Sequence, residues 1–132
     1  MGQPAAKLGD KIVGTDIHIV MVPSTGGPVP TPLPHPFFGI ISGNVSNNVN
    51  IMGCPAATVD STADNLPPHI PMAPGTAFQK PPSNKATIKI GSATVKINGK
   101  MTARNGDVAA TCNDPADIPL GTVLAAGTVL IG

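Results

Sequence analysis

The sequence has no tryptophan and no tyrosine, and only 3 phenylalanines among its 132 residues. A chain so short of rings cannot build an aromatic core, and it offers no platform on which nucleobases could stack. Charged side chains make up 11% of the residues and the net charge is +1. Soluble domains usually carry roughly a quarter. No basic run is present to track a phosphate backbone, so nucleic acid is not an expected partner. Low charge instead suggests a surface covered by another protein.

Helical patterning is missing too. Prolines fall too often, and no window shows apolar residues at a period of about 3.6. No apolar run approaches the ~20 residues of a transmembrane helix. Met1 to Gly14 lacks the apolar stretch of a secretory signal. These absences predict a chain made in the cytoplasm without a signal peptide. Only 2 cysteines are present, so a disulfide framework is not expected, and in a reducing compartment each is a ligand or a free thiol. A small domain with few large side chains then needs a metal or a partner to hold it together.

Glycine and proline are abundant, at 15 and 16 residues, and they punctuate a repeat. Gly2-Gln3-Pro4-Ala5-Ala6 recurs as Gly53-Cys54-Pro55-Ala56-Ala57. The same offset carries His18-Ile19-Val20-Met21-Val22-Pro23 onto His69-Ile70-Pro71-Met72-Ala73-Pro74. A third, weaker copy lies at Gly99-Lys100-Met101-Thr102-Ala103-Arg104-Asn105-Gly106-Asp107, which matches Gly2 through Asp10. Where the first two copies reach histidine, this one reaches Cys112, three residues early. The repeat units run roughly 2–53, 53–99 and 99–132, within one domain over 1–132.

Strand signals bound the copies. Val49-Asn50-Ile51, Val95-Lys96-Ile97 and Val129-Leu130-Ile131 are short β patterns that end in or near glycine. Ala86–Ile90 and Ala93–Ile97 flank Gly91-Ser92, which predicts a β-hairpin with a two-residue loop. Pro23 to Pro36 and Pro67 to Pro82 predict extended connections over the surface. Gly9-Asp10 and Gly106-Asp107 predict matching turns. Fold class follows as all-β: three short β units in a compact body with pseudo-threefold internal symmetry and almost no helix.

If the copies surround a pseudo-threefold axis, His18, His69 and Cys112 converge on it. Imidazole and thiolate donors in that number suit a tetrahedral divalent ion such as zinc. His35, the remaining histidine, sits in the rigid segment Pro34-His35-Pro36-Phe37 and is the candidate fourth ligand. A set of four protein donors is closed, so the metal is expected to be structural, and no nucleophile is left with a spare histidine. Cys54 aligns with Gln3 and Lys100, which predicts a thiol away from the site.

Taken in order, Pro4-Ala5-Ala6-Lys7 with Gly9-Asp10, Pro55-Ala56-Ala57, Ala103-Arg104 with Gly106-Asp107, Pro34-His35-Pro36-Phe37, Pro67-Pro68-His69-Ile70-Pro71 and Thr111-Cys112 resemble the PAAR-repeat family across essentially the whole chain. The resemblance implies a small cone of β-hairpins with one metal ion, zinc or iron, near its vertex. It implies His18, His35, His69 and Cys112 as the metal ligands. It implies no enzyme activity. The expected role is a tip that caps and sharpens the trimeric β-helical spike of a contractile injection apparatus, as in type VI secretion or extracellular phage-tail-like particles, for membrane piercing and effector delivery. The spike protein would meet the base of the cone, effectors are further partners, and the target membrane is touched transiently. The chain would be assembled at the tip of the particle and ejected outside or into the target cell. This sequence departs from the family pattern at Asp60-Ser61, where Gly-Asp is expected, and at Met101-Thr102, where Pro-Ala is expected. The alternatives are a zinc-binding adaptor domain unrelated to injection, and a zinc hydrolase with an open coordination position.

Overall fold

Alternate burial of side chains organises this chain into strands. A computed structural model describes residues 2–132, and among them there is no helix. The strands are β1 (Gln3–Pro4), β2 (Lys11–Val22), β3 (Val29–Gly43), β4 (Asn50–Ile51), β5 (Cys54–Pro55), β6 (Thr62–Asn65), β7 (Ala77–Phe78), β8 (Lys85–Ile88), β9 (Lys96–Ile97), β10 (Lys100–Met101), β11 (Val108–Thr111), β12 (Ile118–Leu124) and β13 (Leu130–Ile131).

Each repeat contributes one antiparallel pair: β2 with β3, β6 with β8, and β11 with β12. The pairs then join one another, β3 to β6, β8 to β11 and β12 to β2. Six strands therefore close into a ring with no free end, and β7 adds to the outer part of β2. Closure removes the exposed edges that an open sheet would present. The short hairpins β4–β5 and β9–β10 turn at Met52-Gly53 and Asn98-Gly99, all at positive φ (51°, 82°, 53° and 81°). Two such residues are what a tight hairpin turn matched to strand twist requires. β1 and β13 pair in the equivalent place, with Gln3 opposite Ile131.

The repeats lock together through backbone hydrogen bonds that run in a circle. Ala6 N–H donates to Ala103 O, Ala103 N–H to Ala57 O and Ala57 N–H to Ala6 O, at 2.9, 3.0 and 3.0 Å. A second circle links Leu8 N–H to Pro55 O, Val59 N–H to Met101 O and Asn105 N–H to Pro4 O, at 2.8–2.9 Å. Three backbones approach closely here, and the small side chains that stand at the junction, Ala6, Ala57 and Ala103, are fully buried. The main core repeats the same logic: Ile12, Ala63 and Ala109 occupy matched positions, as do Ile41, Ile88 and Val123. Phe37 is the one large ring in it.

The Gly-Asp turns serve the role expected, and the second copy reaches it with different residues. Asp10 accepts the Lys7 N–H at 3.0 Å and Asp107 the Arg104 N–H at 2.7 Å. Ser61 Oγ accepts the Thr58 N–H at 2.9 Å in the same way. Asp60 takes the left-handed conformation (φ 78°) that Gly9 and Gly106 adopt in the other copies.

Two expectations are corrected. Ala86–Ile90 and Ala93–Ile97 do not pair across Gly91-Ser92; β8 lies between β6 and β11, and β9 pairs with β10. The cause is Ser92, whose buried Oγ accepts the N–H groups of Thr94 and Val95 at 3.2 and 3.0 Å and bends the chain away from the large sheet. The proline-rich stretch before Phe37 is not a connection either. Pro30, Pro32, Pro34 and Pro36 lie within β3, opposite Met21, Ile19, Ile17 and Thr15. Prolines spaced by two remove donors from one side of a strand only, and that side of β3 is unpartnered until Gly39 meets β6.

Thr102 stands where the other copies have Ala5 and Ala56, and its Oγ1 is buried without a hydrogen-bond partner. An unsatisfied buried hydroxyl costs about 1–3 kcal/mol. Thr102→Val keeps the volume and removes that cost. It should stabilise the protein by about 1 kcal/mol, read as a higher urea midpoint with an unchanged slope.

Candidate metal centre

Beyond Phe37 the interior becomes largely polar. Period-two alternation on β2 turns Asp16, His18 and Val20 inward, with exposures of 0%, 1% and 0%. On β3 the same period turns His35 and Phe37 inward, and His35 lies directly opposite Asp16. His69 arrives from the segment after β6. Asn84 fixes that segment by accepting the His69 N–H at 2.7 Å, while its own carbonyl accepts the Asn65 N–H at 2.8 Å. Cys112 follows β11, held by its N–H to Lys85 O at 3.1 Å. Phe78 of β7 closes over the rings of His18 and His35 at 5.7 and 5.4 Å.

One donor atom each from Asp16, His18, His69 and Cys112 falls within 4.8 Å of all the others. Asp16 Oδ2 is 2.8 Å from His69 Nε2, 3.3 Å from Cys112 Sγ and 3.9 Å from His18 Nε2. Cys112 Sγ is 3.7 Å from His18 Nε2. Two ligands of a tetrahedral zinc, with bonds of about 2.0–2.3 Å, stand about 3.3–3.7 Å apart. Oxygen, nitrogen and thiolate donors in that mixture suit zinc or iron(II). Asp16 Oδ1 and His18 Nδ1 are buried without hydrogen-bond partners, a cost that makes little sense in a site built only for packing. The cluster therefore fits a divalent ion, and it could hold one.

His18, His69 and Cys112 thus meet, as their shared repeat address predicts. His35 joins them by ring contact, with centroids 5.4 Å from His18 and 5.6 Å from His69. Both of its nitrogens are engaged: Nδ1–H donates to Leu33 O at 2.9 Å, and Nε2 accepts the Met72 N–H at 3.0 Å. A ligand role for His35 requires that the Met72 amide let go of Nε2. Asp16 is the residue the sequence reading missed. Its signal was present: an Asp-x-His pair at strand period puts both side chains on one face. Cys54 is half-buried in β5, outside the cluster.

The charges are strongly coupled. Burial alone would raise the Asp16 carboxyl, but hydrogen bonds from His18, His69, Thr111 and Cys112 outweigh it and hold it down at about 2. Burial would lower His18, yet hydrogen bonds to Asp16 and Cys112 and the charges of Cys112 and Asp114 push it up to about 9. His69 is raised by the same balance. The Cys112 thiol, which burial raises, is lowered by hydrogen bonds to the two histidines. His35 is lowered, first by burial and then by the charges of His18 and His69.

A pH prediction follows from these directions. Without metal, His18 carries a proton below about 9 that a metal must displace. Zinc affinity should therefore rise at least tenfold per pH unit as pH climbs toward 9, and more steeply where the raised His69 also gives up a proton, measured by competition with a chelator of known affinity. Stability of the metal-free protein should run the other way. The raised His18 contributes fully below its unfolded value of 6.5 and loses that contribution as pH climbs through about 9. The lowered Asp16 contributes above 3.8 and loses it as pH falls toward about 2.

No protein-family model matches this chain, and neither does any curated protein. No helix of the described residues is long and apolar enough to cross a membrane.

Proposed function

We propose that this chain is a metal-clamped tip, of the PAAR-repeat kind, that caps the trimeric β-helical spike of a contractile injection apparatus. The observation that carries the proposal is the circle of hydrogen bonds joining Ala6, Ala57 and Ala103. One chain that repeats its backbone three times round a common point can meet each subunit of a trimer in nearly the same way. The short hairpins β4–β5 and β9–β10 and the β1–β13 pair surround a second apolar cluster of Ala5, Ile51, Ala56 and Ile131. Met52, Val129 and Leu130 are exposed around it, which gives a trimer face something apolar to bury.

At the other end, donors from all three repeats converge. Two histidines, a thiolate and either Asp16 or His35 fill a tetrahedron, and a filled tetrahedron clamps rather than catalyses. A metal in that position would stiffen the region where packing is thinnest, as a piercing point requires. The test is co-purification of the zinc-loaded chain with a trimeric β-helical spike protein of a contractile injection apparatus. A stoichiometry of one chain per spike trimer supports the proposal. A metal-loaded chain that ignores the spike leaves a metal-stabilised adaptor domain instead.

A further inference from the structure

Within the metal reading above, on which this inference rests, we propose that Asp114 is the positioning residue for His18: its carboxylate accepts a hydrogen bond from Nδ1–H, which leaves the Nε2 lone pair for the metal. His18 Nδ1 is buried and has no hydrogen-bond partner. The carboxylate that faces it is Asp114, with Oδ2 at 3.5 Å and a side chain only 5% exposed. Asp16 cannot do this, because its carboxylate faces the opposite ring nitrogen, Nε2. A small turn of the ring brings Nδ1 within bonding range of Asp114, at about 3 Å.

Asp114 is itself held in place. Its Oδ2 accepts the Ile19 N–H at 2.9 Å, and its own N–H donates to Ile17 O at 2.9 Å. Asn113 Oδ1 accepts the Ile17 N–H at 2.6 Å, and Asn113 Nδ2 is tied to Thr111 O and Oγ1 at 3.0 and 3.1 Å. The backbone on both sides of His18 is thus gripped by residues 113 and 114. Cys112-Asn113-Asp114 is one device: the first residue offers a donor atom, the second grips the strand, and the third orients the donor of another repeat. Cys112 falls three residues short of the histidine address, and the two residues that follow it bond to the backbone of β2 on either side of His18.

Carboxylates behind metal-bound histidines fix the tautomer and the ring orientation, and losing one typically weakens metal binding by about 10–100-fold. Zinc affinity is read by chelator competition on the full chain. Asp114→Ala should bind zinc about 10–100-fold more weakly than the wild type, and Asp114→Asn, which keeps an oxygen for both hydrogen bonds but drops the charge, should lose less. Thermal midpoints in chelator report folding separately, and Asp114→Asn should lie only slightly below the wild-type value there, since it keeps both hydrogen bonds and loses only the charge beside His18. Nitrogen-15 NMR of ring-labelled histidine in the zinc-loaded wild type should show His18 bound through Nε2, with a hydrogen-bonded proton on Nδ1. This reading needs no variant to fold. Asp114→Ala affinity within about twofold of wild type, or zinc bound through Nδ1, overturns the inference while leaving the metal centre intact. A wild-type chain that binds no zinc overturns both.

Discussion

Protein stripped with a strong chelator will melt about 15–25 °C below its zinc-loaded form, and one equivalent of zinc will restore the higher midpoint. The size follows from what the core lacks. Ala6, Ala57, Ala63, Ala86, Ala103 and Ala109 are half of the twelve residues in the main buried cluster. An alanine buries little more than a methyl group, whereas each Leu- or Phe-sized side chain contributes about 1.5–3 kcal/mol. Past Phe37 the interior holds Asp16, His18, His35, His69 and Cys112 beside Val20, and Asp16, Cys112, His69 and His18 are joined by hydrogen bonds in the absence of metal. Zinc supplies about 10–16 kcal/mol in peptides that have no fold without it. Here the closed ring of strands stands on its own, so roughly half that figure is expected, and a chain of this size shifts by about 3 °C per kcal/mol. Hydrogen exchange will locate the loss. Amides of the outer parts of β2 and β3 and of residues 66–84 should exchange faster without zinc, while those of Ala6, Ala57 and Ala103 stay protected. Identical midpoints with and without metal would remove the clamp from the account.

The repeat carried most of what could be read in advance. It matched His18 with His69, set Cys112 against them and placed the Gly-Asp turns, because each of these depends on local spacing repeated in register. Asp16 was hidden for the opposite reason. A buried carboxylate is tolerable only with donors around it, and the two that hydrogen-bond to its Oδ2, His69 and Cys112, come from the other two repeats, far from it in sequence. His35 shows the same limit. Proline on both sides marks a rigid segment, but which partner its Nε2 takes depends on where the chain from 66 to 76 puts Met72. At Gly91-Ser92 the local signal was ambiguous, since glycine and serine suit a hairpin loop and a side-chain-capped bend equally, and only the burial of Ser92 decides. The even spacing of Pro30 to Pro36 held the clue to an edge strand, although proline content alone pointed to a connection.

Gly14→Ala will destabilise the protein by about 2–3 kcal/mol and weaken zinc binding with it. Alanine normally improves a strand by roughly 0.5–1 kcal/mol relative to glycine, so the sign must come from the surroundings. A Cβ on Gly14 would stand 2.6 Å from Leu120 O and 3.2 Å from Gly121 Cα. Both are backbone atoms of β12, which no rotamer change can move aside. Relief requires β12 to part from β2, and that is where the six-stranded ring closes, with Thr122 opposite Val13. Asp16 and His18 are the next residues on the same inward face of β2, so a shift at position 14 is carried to the donor atoms. Gly26, in the turn between β2 and β3, has nothing within 4 Å of a built Cβ, so Gly26→Ala should change neither property. Urea melts and chelator competition on the two variants separate the cases. If Gly14→Ala lowers stability in chelator and leaves zinc affinity at the wild-type value, the closure of the ring and the geometry of the donors are independent. If both fall together, the strand that closes the fold is also the strand that aims the site.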